Sequence, residues 1–176
     1  ADGVAFCGAT FGATPVDSDP DLDRVRLPGT FDLIWCGSLF THLDRAGWVM
    51  LSRLFLSALA EGGVLLFTTH GRMTTQFLAG GYSFGLDAST VKGLLAESAD
   101  AGFAYRDYSA GAGYGFSISL PSWVLKELQD LDFRILSFTE AGWLRHQDVY
   151  ALWRPSAGWL ERTPAEEELA TDPGHV

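Results

Sequence analysis

The segment of residues 30–42, which is T-F-D-L-I-W-C-G-S-L-F-T-H, constrains the fold more than any other part of the sequence. It follows the turn residues L-P-G, and residues 31–36 are apolar except for one aspartate. A short apolar run between turn signals predicts a strand that is buried on both faces of a parallel sheet. In such sheets ligands bind just past the carboxyl ends of the strands. We therefore expect a ligand near Gly37, Ser38 and Leu39.

A helix and a second buried strand follow this segment. Residues 44–60 place apolar side chains along one helical stripe, and E-G-G at residues 61–63 is a typical helix stop. Residues 64–69, V-L-L-F-T-T, form another apolar run, which leads to His70. A strand, a helix and a strand in this order predict a βαβ unit with a right-handed crossover.

The flanking regions have weaker patterns. Residues 2–11 predict a helix, residues 13–16 a very short strand, and residues 17–26 an acidic loop. Residues 73–113 are rich in glycine and tyrosine, which is typical of an insertion or lid, and they contain a predicted helix at 87–101.

The carboxyl-terminal part predicts more regular structure. Residues 114–120 are expected to be extended, and a helix is predicted to start at Pro121 and run to about residue 129. Strands are predicted at residues 133–138 and 147–154, and they must be antiparallel because the connection between them is so short. We expect one domain over residues 1–155, with an insertion at about 73–113, and an acidic tail over residues 156–176.

The composition limits which classes of function and partner the chain can have. The formal net charge of −10 disfavours binding to nucleic acid or to an anionic membrane, and no apolar run approaches the ~20 residues of a membrane span. Cys7 and Cys36 lie in apolar runs, so we expect buried thiols, no disulfide and a cytoplasmic protein. The four histidines lack metal-ligand spacing, so we predict no metal site.

Taken in order, these segments resemble the second part of class I S-adenosylmethionine-dependent methyltransferases. The resemblance covers residues 1–72 and 114–155, and the closing Q-D-V-Y-A-L-W-R is similar to the last strand of that family. It implies an α/β fold, a partial Rossmann-like sheet with strands equivalent to 4-5-7-6 and helices on both faces. It also implies that S-adenosylmethionine is the cofactor and that a small molecule or glycan under the lid accepts the methyl group.

The chain lacks two features of that family. The glycine-rich loop after the first strand and the acidic residue that holds the ribose have no counterpart in this sequence. We therefore expect a truncated domain that binds cofactor poorly and is inactive alone. We also expect four strands, in the spatial order 31–36, 64–69, 147–154 and 133–138, with residues 31–36 at the edge. The first thirty residues would then be displaced or poorly anchored.

The resemblance also implies site residues. An acidic residue near the adenine corresponds to Asp17 or Asp19, and the segment that passes under the cofactor corresponds to Cys36, Gly37, Ser38 and Leu39. An acidic loop and an ordinary strand end are the structural alternatives.

Two histidines are candidates for a catalytic base. His42 lies at the turn that enters the helix, and His70 lies at the end of the second strand. Either histidine can instead be a capping or packing residue. Methyl transfer depends mainly on alignment of the reactants, so the sequence names no catalytic residue firmly.

Other functions fit less well. The G-Y-S-F-G motif around Ser83 matches a nucleophile elbow, and Asp130 or Asp132 and then His146 follow in the order of a hydrolase triad. The elbow needs a buried strand before it, which residues 75–80 do not predict. A nicotinamide reductase would need a glycine fingerprint and a Tyr-x-x-x-Lys pair, which are absent. A non-catalytic interaction domain remains the main alternative.

Overall fold

A computed structural model describes residues 2–19 and 21–159. Its helices and strands, in chain order, are α1 (Asp2–Phe11), β1 (Phe31–Cys36), α2 (Arg45–Ala58), β2 (Leu59–His70), α3 (Arg72–Ala79), α4 (Ala88–Ala101), β3 (Phe103–Asp107), β4 (Gly115–Ser119), α5 (Pro121–Leu128), β5 (Arg134–Trp143) and β6 (Gln147–Trp153). Two short 3-10 helices lie at Leu22–Arg24 and Phe40–His42. No helix in the described ranges is long and apolar enough to cross a membrane.

The main sheet has four strands in the order β1-β2-β6-β5. β1 and β2 are parallel and joined through α2, whereas β6 is antiparallel to both of its neighbours. The predicted fold class, a partial Rossmann-like α/β sheet closed by an antiparallel pair, is confirmed. The predicted strand order and the position of β1 at the edge are confirmed as well.

The main core lies between this sheet and the helices α2 and α5. Asp44 starts α2, because its carboxylate accepts a 2.7 Å hydrogen bond from the amide of Gly47. Trp48 of α2 packs edge-on against Trp123 of α5 with ring centroids 5.1 Å apart. The other buried side chains of this core include Phe40, Leu51, Leu59, Leu65, Phe67, Val124, Leu128, Phe133, Tyr150 and Leu152.

The helices are distributed differently from the expected layer on each face. Successive strand residues point to opposite faces, so Leu33 and Trp35 lie on the face away from α2 and α5. Their side chains are 59% and 48% exposed. The Trp35 ring packs against Trp143, with centroids 5.0 Å apart. Among the described residues, neither core contains a helix packed on this side of the sheet, so the face stays largely open.

The expectation that the first thirty residues are displaced or poorly anchored holds in part. α1 forms as predicted, but Phe6 and Phe11 are exposed, and residues 13–16 do not form the expected strand. A four-residue segment gains little from an extended conformation when no neighbouring strand pairs with it. Cys7 is exposed, so the expectation of two buried thiols holds only for Cys36; both thiols are free.

A second, smaller sheet is built largely from the predicted insertion. β3 and β4 form an antiparallel pair that packs with α4 around its own core. The helix predicted at 87–101 is confirmed as α4, with Asp87 as its cap. α3 and β3 were not predicted, and the second sheet continues through β4, past the expected limit at residue 113.

Three element ends differ clearly from the sequence prediction, namely the end of α2, the start of β2 and the end of β5. α2 ends at Ala58, before the predicted stop at residues 61–63, because Leu59 already pairs with Phe31 of β1. The register then shifts between Phe31 and Leu33, so the glycines lie inside β2 rather than at a helix end. β5 continues to Trp143 rather than ending at residue 138.

Candidate functional site

Polar side chains connect the carboxyl end of β1 to its neighbours. The amide of Ser38 donates a 2.8 Å hydrogen bond to Oγ1 of Thr68 in β2. Oε1 of Gln147 in β6 accepts hydrogen bonds from the Ser38 hydroxyl at 3.0 Å and from the Thr68 hydroxyl at 2.6 Å. Ser38 has a positive φ of 59°, so these bonds hold a backbone conformation that non-glycine residues seldom adopt. The predicted ligand-binding turn is thus a fixed structure.

The neighbours of Ser38 give this turn its shape. A Cβ atom on Gly37 would lie 3.1 Å from the indole of Trp35, so the backbone passes close to that ring. Burial raises the pKa of the Cys36 thiol to about 12, which keeps the thiol protonated at neutral pH. Leu39 is partly exposed and offers an apolar surface at the rim of the turn.

Asp17 and Asp19 lie in an exposed loop. Oδ1 of Asp19 accepts a 2.8 Å hydrogen bond from the amide of Asp21, which is a local turn contact. In the described part of the chain, no hydrogen bond joins either carboxylate to the end of β1. Among the described residues there is thus no direct hydrogen bond between these two side chains and the turn at Gly37 and Ser38.

His42 contacts the second sheet. Its Nδ1 lies 2.8 Å from the carbonyl oxygen of Gly115 and 3.1 Å from the hydroxyl of Tyr108, and its ring stacks on Tyr114 with centroids 4.7 Å apart. A carbonyl oxygen can only accept, so Nδ1 carries the proton in this contact. Nε2 of the neutral ring then has a free lone pair, which a general base requires.

His70 is buried beside the same sheet. Its Nδ1 lies 3.0 Å from the carbonyl oxygen of Ser117, and its ring stacks on Phe116 at 4.4 Å. Burial, with smaller contributions from His146 and His42, lowers the pKa of His70 to about 3 against the effect of the hydrogen bond to Ser117. A base with so low a pKa accepts a proton poorly at neutral pH, so His42 is the better of the two candidates.

The three histidines form a row but not a metal site. The ring centroids are 6.5 Å apart for His42 and His70, and 5.7 Å apart for His70 and His146. Within residues 2–19 and 21–159, no three His, Cys, Asp or Glu side chains are arranged to hold a metal ion.

The alternative elbow at Ser83 does not have the required geometry. Helix α3 and the turn at Gly80 precede it, where a nucleophile elbow needs a strand. The carbonyl of Ser83 accepts a 3.0 Å hydrogen bond from the amide of Leu86, which makes this segment an ordinary turn.

A separate cleft of about 450 Å³ lies between the end of α4 and α5. Its lining includes Arg45, Ser98, Gly102, Trp123 and Lys126, and none of the predicted site residues. We place the candidate site at the strand ends, because the predicted ligand turn and the partly exposed His42 meet there.

The sequence prediction missed two contributors to the site. The apolar pattern predicts Thr68 only as part of a strand, although a polar residue at the carboxyl end of a buried strand is itself a signal for a site. Tyr108 belongs to the tyrosine-rich insertion, and its hydrogen bond to His42 depends on the β3–β4 pairing, which no local pattern predicts.

The fold was compared with solved structures. It is similar to an S-adenosylmethionine-dependent methyltransferase from Clostridium acetobutylicum ATCC 824, with a TM-score of 0.52 and 14% identity, over 85% of this chain and 68% of that one. The chain thus shares with that methyltransferase a partial Rossmann-like α/β fold. The sequence matches no protein-family model and no curated protein.

Two further methyltransferases are structurally more distant. An O-methyltransferase family protein from Burkholderia thailandensis has a TM-score of 0.45 and 12% identity, over 74% of this chain and 32% of that one. Magnesium protoporphyrin IX methyltransferase from Synechocystis PCC 6803, with bound SAH, has a TM-score of 0.47 and 13% identity, over 76% of this chain and 48% of that one. The chain thus spans about a third to two thirds of the length of these methyltransferases.

Proposed function

We propose that this chain is the acceptor-side part of an S-adenosylmethionine-dependent methyltransferase. The observation that carries the proposal is the turn after β1. Gly37 and Ser38 lie in this turn, at the carboxyl edge of a sheet whose fold is similar to that of a methyltransferase. Hydrogen bonds from Ser38 to Thr68 and Gln147 hold the turn in place. Ligands of α/β sheets bind at such an edge.

The residues at this turn fit part of the cofactor. Gly37 allows close approach of the backbone, and the exposed side of Leu39 can pack against a planar base. Asp17 and Asp19 are the candidate partners of the adenine amino group, provided their loop moves toward the edge. The described chain has no glycine-rich loop for the methionine end, so we propose that it binds cofactor poorly alone and has no activity alone.

The acceptor would lie between the turn and the second sheet. S-adenosylmethionine, when bound, supplies an activated methyl group. Tyr108 and Tyr114 are half-exposed beside His42 and can position a neutral small molecule or glycan by stacking. Nε2 of His42 would accept the proton that the acceptor oxygen or nitrogen loses as its lone pair forms the bond to the methyl carbon. The net charge of −10 argues against a nucleic-acid acceptor.

Calorimetric titration with S-adenosylhomocysteine tests this proposal. We expect little or no binding to this chain and clear binding to a longer version that carries two further strands and a glycine-rich loop upstream. Micromolar binding to the short chain would contradict our account of the missing loop. Absence of binding to both versions would favour a non-catalytic interaction domain.

A further inference from the structure

Asp148 is a fully buried carboxyl group in β6, next to Gln147. Its Oδ1 accepts a 2.9 Å hydrogen bond from the amide of Ala141, in the strained end of β5 where Ala141 has a positive φ of 52°. No donor among the described residues reaches Oδ2. A buried carboxylate with a single hydrogen bond is costly, so this arrangement needs an explanation.

Two further buried oxygen atoms lie on the same side of the sheet. Thr69 is the direct partner of Asp148 in the β2–β6 register, and Tyr150 follows two residues later on the same face. Oγ1 of Thr69 and the hydroxyl of Tyr150 lie within reach of each other, and neither has a well-formed hydrogen bond to another described residue. The carboxyl group, the hydroxyl of a threonine and a phenol thus form one buried polar cluster.

The backbone at the start of α3 is shaped around this carboxyl group. A Cβ atom at Gly71 would overlap Oδ2 of Asp148, so only glycine allows the two to lie in contact. The carboxyl group therefore bridges two segments, the end of β5 at Ala141 and the turn before α3 at Gly71. The turn at Gly71 borders the candidate site because His70 precedes it, and Asp148 borders the site because Gln147, which bonds to Ser38, precedes Asp148.

Among the described residues, no positively charged side chain forms an ion pair with Asp148. Arg72 of α3 is engaged by Glu140 of β5 through two hydrogen bonds of 2.7 Å. His70, at the end of β2, is held neutral by burial. His146, in the turn before β6, bonds to the carbonyl of Leu144. Burial, with a smaller contribution from Glu140, raises the pKa of Asp148 to about 6 against the effects of the Ala141 amide and Arg72.

We propose that Asp148 is a positioning residue which, in its protonated form, fastens the end of β5 to the start of α3 and so holds the carboxyl edge in shape. The neutral group keeps its hydrogen bond from Ala141 and can donate its own proton into the cluster of Thr69 and Tyr150. Ionisation leaves a buried anion with one donor and loosens the fastening. This inference does not depend on the proposed methyl transfer.

The pKa of an unfolded aspartate is about 3.9 and the folded value is about 6, so folding favours the protonated form. The stabilisation is complete below the unfolded value and is lost as the pH rises through the folded value.

A direct titration of the intact chain tests the first part. The carboxyl carbon of Asp148 would be followed by carbon-13 NMR from pH 3 to pH 8, with Asp130, an exposed aspartate, as the internal reference. We expect a midpoint for Asp148 about two pH units above that of a free aspartate. A midpoint below about 4.5 would overturn the proposal, and this measurement needs no variant that could fail to fold.

A pair of variants tests the positioning role. Asp148→Asn keeps an acceptor for the Ala141 amide and cannot ionise, and Asp130→Asn is the matched control. From pH 4 to pH 7.5, the folding equilibrium constant of Asp148→Asn should rise on the order of fiftyfold relative to the unsubstituted protein. Amides 139–146 of the unsubstituted protein should lose protection from exchange over the same range. A ratio independent of pH, or exchange that is the same in both proteins, would contradict the role.

Discussion

Ser38 and Gln147 lie 109 positions apart in the sequence, yet the hydroxyl of Ser38 donates a 3.0 Å hydrogen bond to Oε1 of Gln147. The bond crosses from the end of β1 to the start of β6, over the β2 strand that separates them. Thr68 of β2 completes the bridge, because it bonds to both residues. The turn that we assign to cofactor binding is therefore held by three strands rather than by its own local sequence.

Replacement of Thr68 by valine should destabilise the protein. Thr68→Val keeps the shape of the side chain but leaves the amide of Ser38 without its acceptor in a buried environment. We expect a loss of about 1–3 kcal/mol in the free energy of unfolding, measured by urea denaturation. Thr75→Val, in a helix where the hydroxyl bonds only to the local carbonyl of Arg72, is the control and should cost much less. Equal losses for the two variants would show that the bridge does not stabilise the turn.

Gly71 should tolerate no side chain. In Gly71→Ala the new Cβ atom would overlap the carboxyl group of Asp148, so either the start of α3 or β6 must move. We expect a loss of about 1–3 kcal/mol, measured by thermal unfolding, as is typical of overpacked sites. Gly158→Ala is the matched control, because a Cβ atom there has no neighbour within 4 Å. An unchanged melting temperature for Gly71→Ala would contradict the close contact.

His70 should control stability in mild acid. Its pKa is lowered to about 3 by burial, whereas an unfolded histidine has a pKa near 6.5. The stabilisation is present above the unfolded value and is lost as the pH falls toward the folded value. His70→Gln cannot become charged and keeps a donor for the carbonyl of Ser117, so it should lose less stability between pH 6.5 and pH 4.5. Urea midpoints that fall equally in both proteins would contradict this assignment.

The exposed edge of the sheet should promote self-association. Within residues 2–19 and 21–159, no strand pairs with the outer edge of β1, and Leu33 is 59% exposed on the open face. Leu33→Lys should reduce concentration-dependent light scattering without loss of helical circular dichroism. Ile34→Lys, one residue further on the core face, should instead unfold the protein. If the unsubstituted chain stays monomeric at high concentration, the edge is not a site of association.

The four main strands could be located from their strong apolar runs, and the antiparallel pairing of β5 and β6 follows from their short connection. Their spatial order was implied by the resemblance to class I methyltransferases. β3 could not be predicted, because residues 103–107 contain tyrosine, arginine and aspartate. These residues form a strand because they pair with β4. The end of α2 was misplaced for a similar reason, because pairing of Leu59 with Phe31 outweighs the local glycine signal. Tertiary pairing decided each of these cases.

In the candidate site, too, local features could be predicted from the sequence, whereas contacts between distant segments could not. Gly37, Ser38 and Leu39 could be located from the end of an apolar run, because the position of a strand end is a local property. The contact between His42 and Tyr108, and the burial that lowers the pKa of His70, depend on how the second sheet packs against the first. The sequence places Asp148 only beside a turn. That one of its carboxylate oxygen atoms is buried without a hydrogen-bond partner follows from the register of β2 and β6.

The most direct test of our central claim is a nitrogen-15 NMR titration of this chain with S-adenosylhomocysteine up to millimolar concentration, which detects weak binding. The account predicts concentration-dependent shifts at the amides of Cys36, Gly37, Ser38 and Leu39, and no shift at Gly158. Shifts confined to the cleft between α4 and α5, at Ser98, Gly102 and Lys126, or to the turn at Ser83, would contradict a cofactor site at the end of β1.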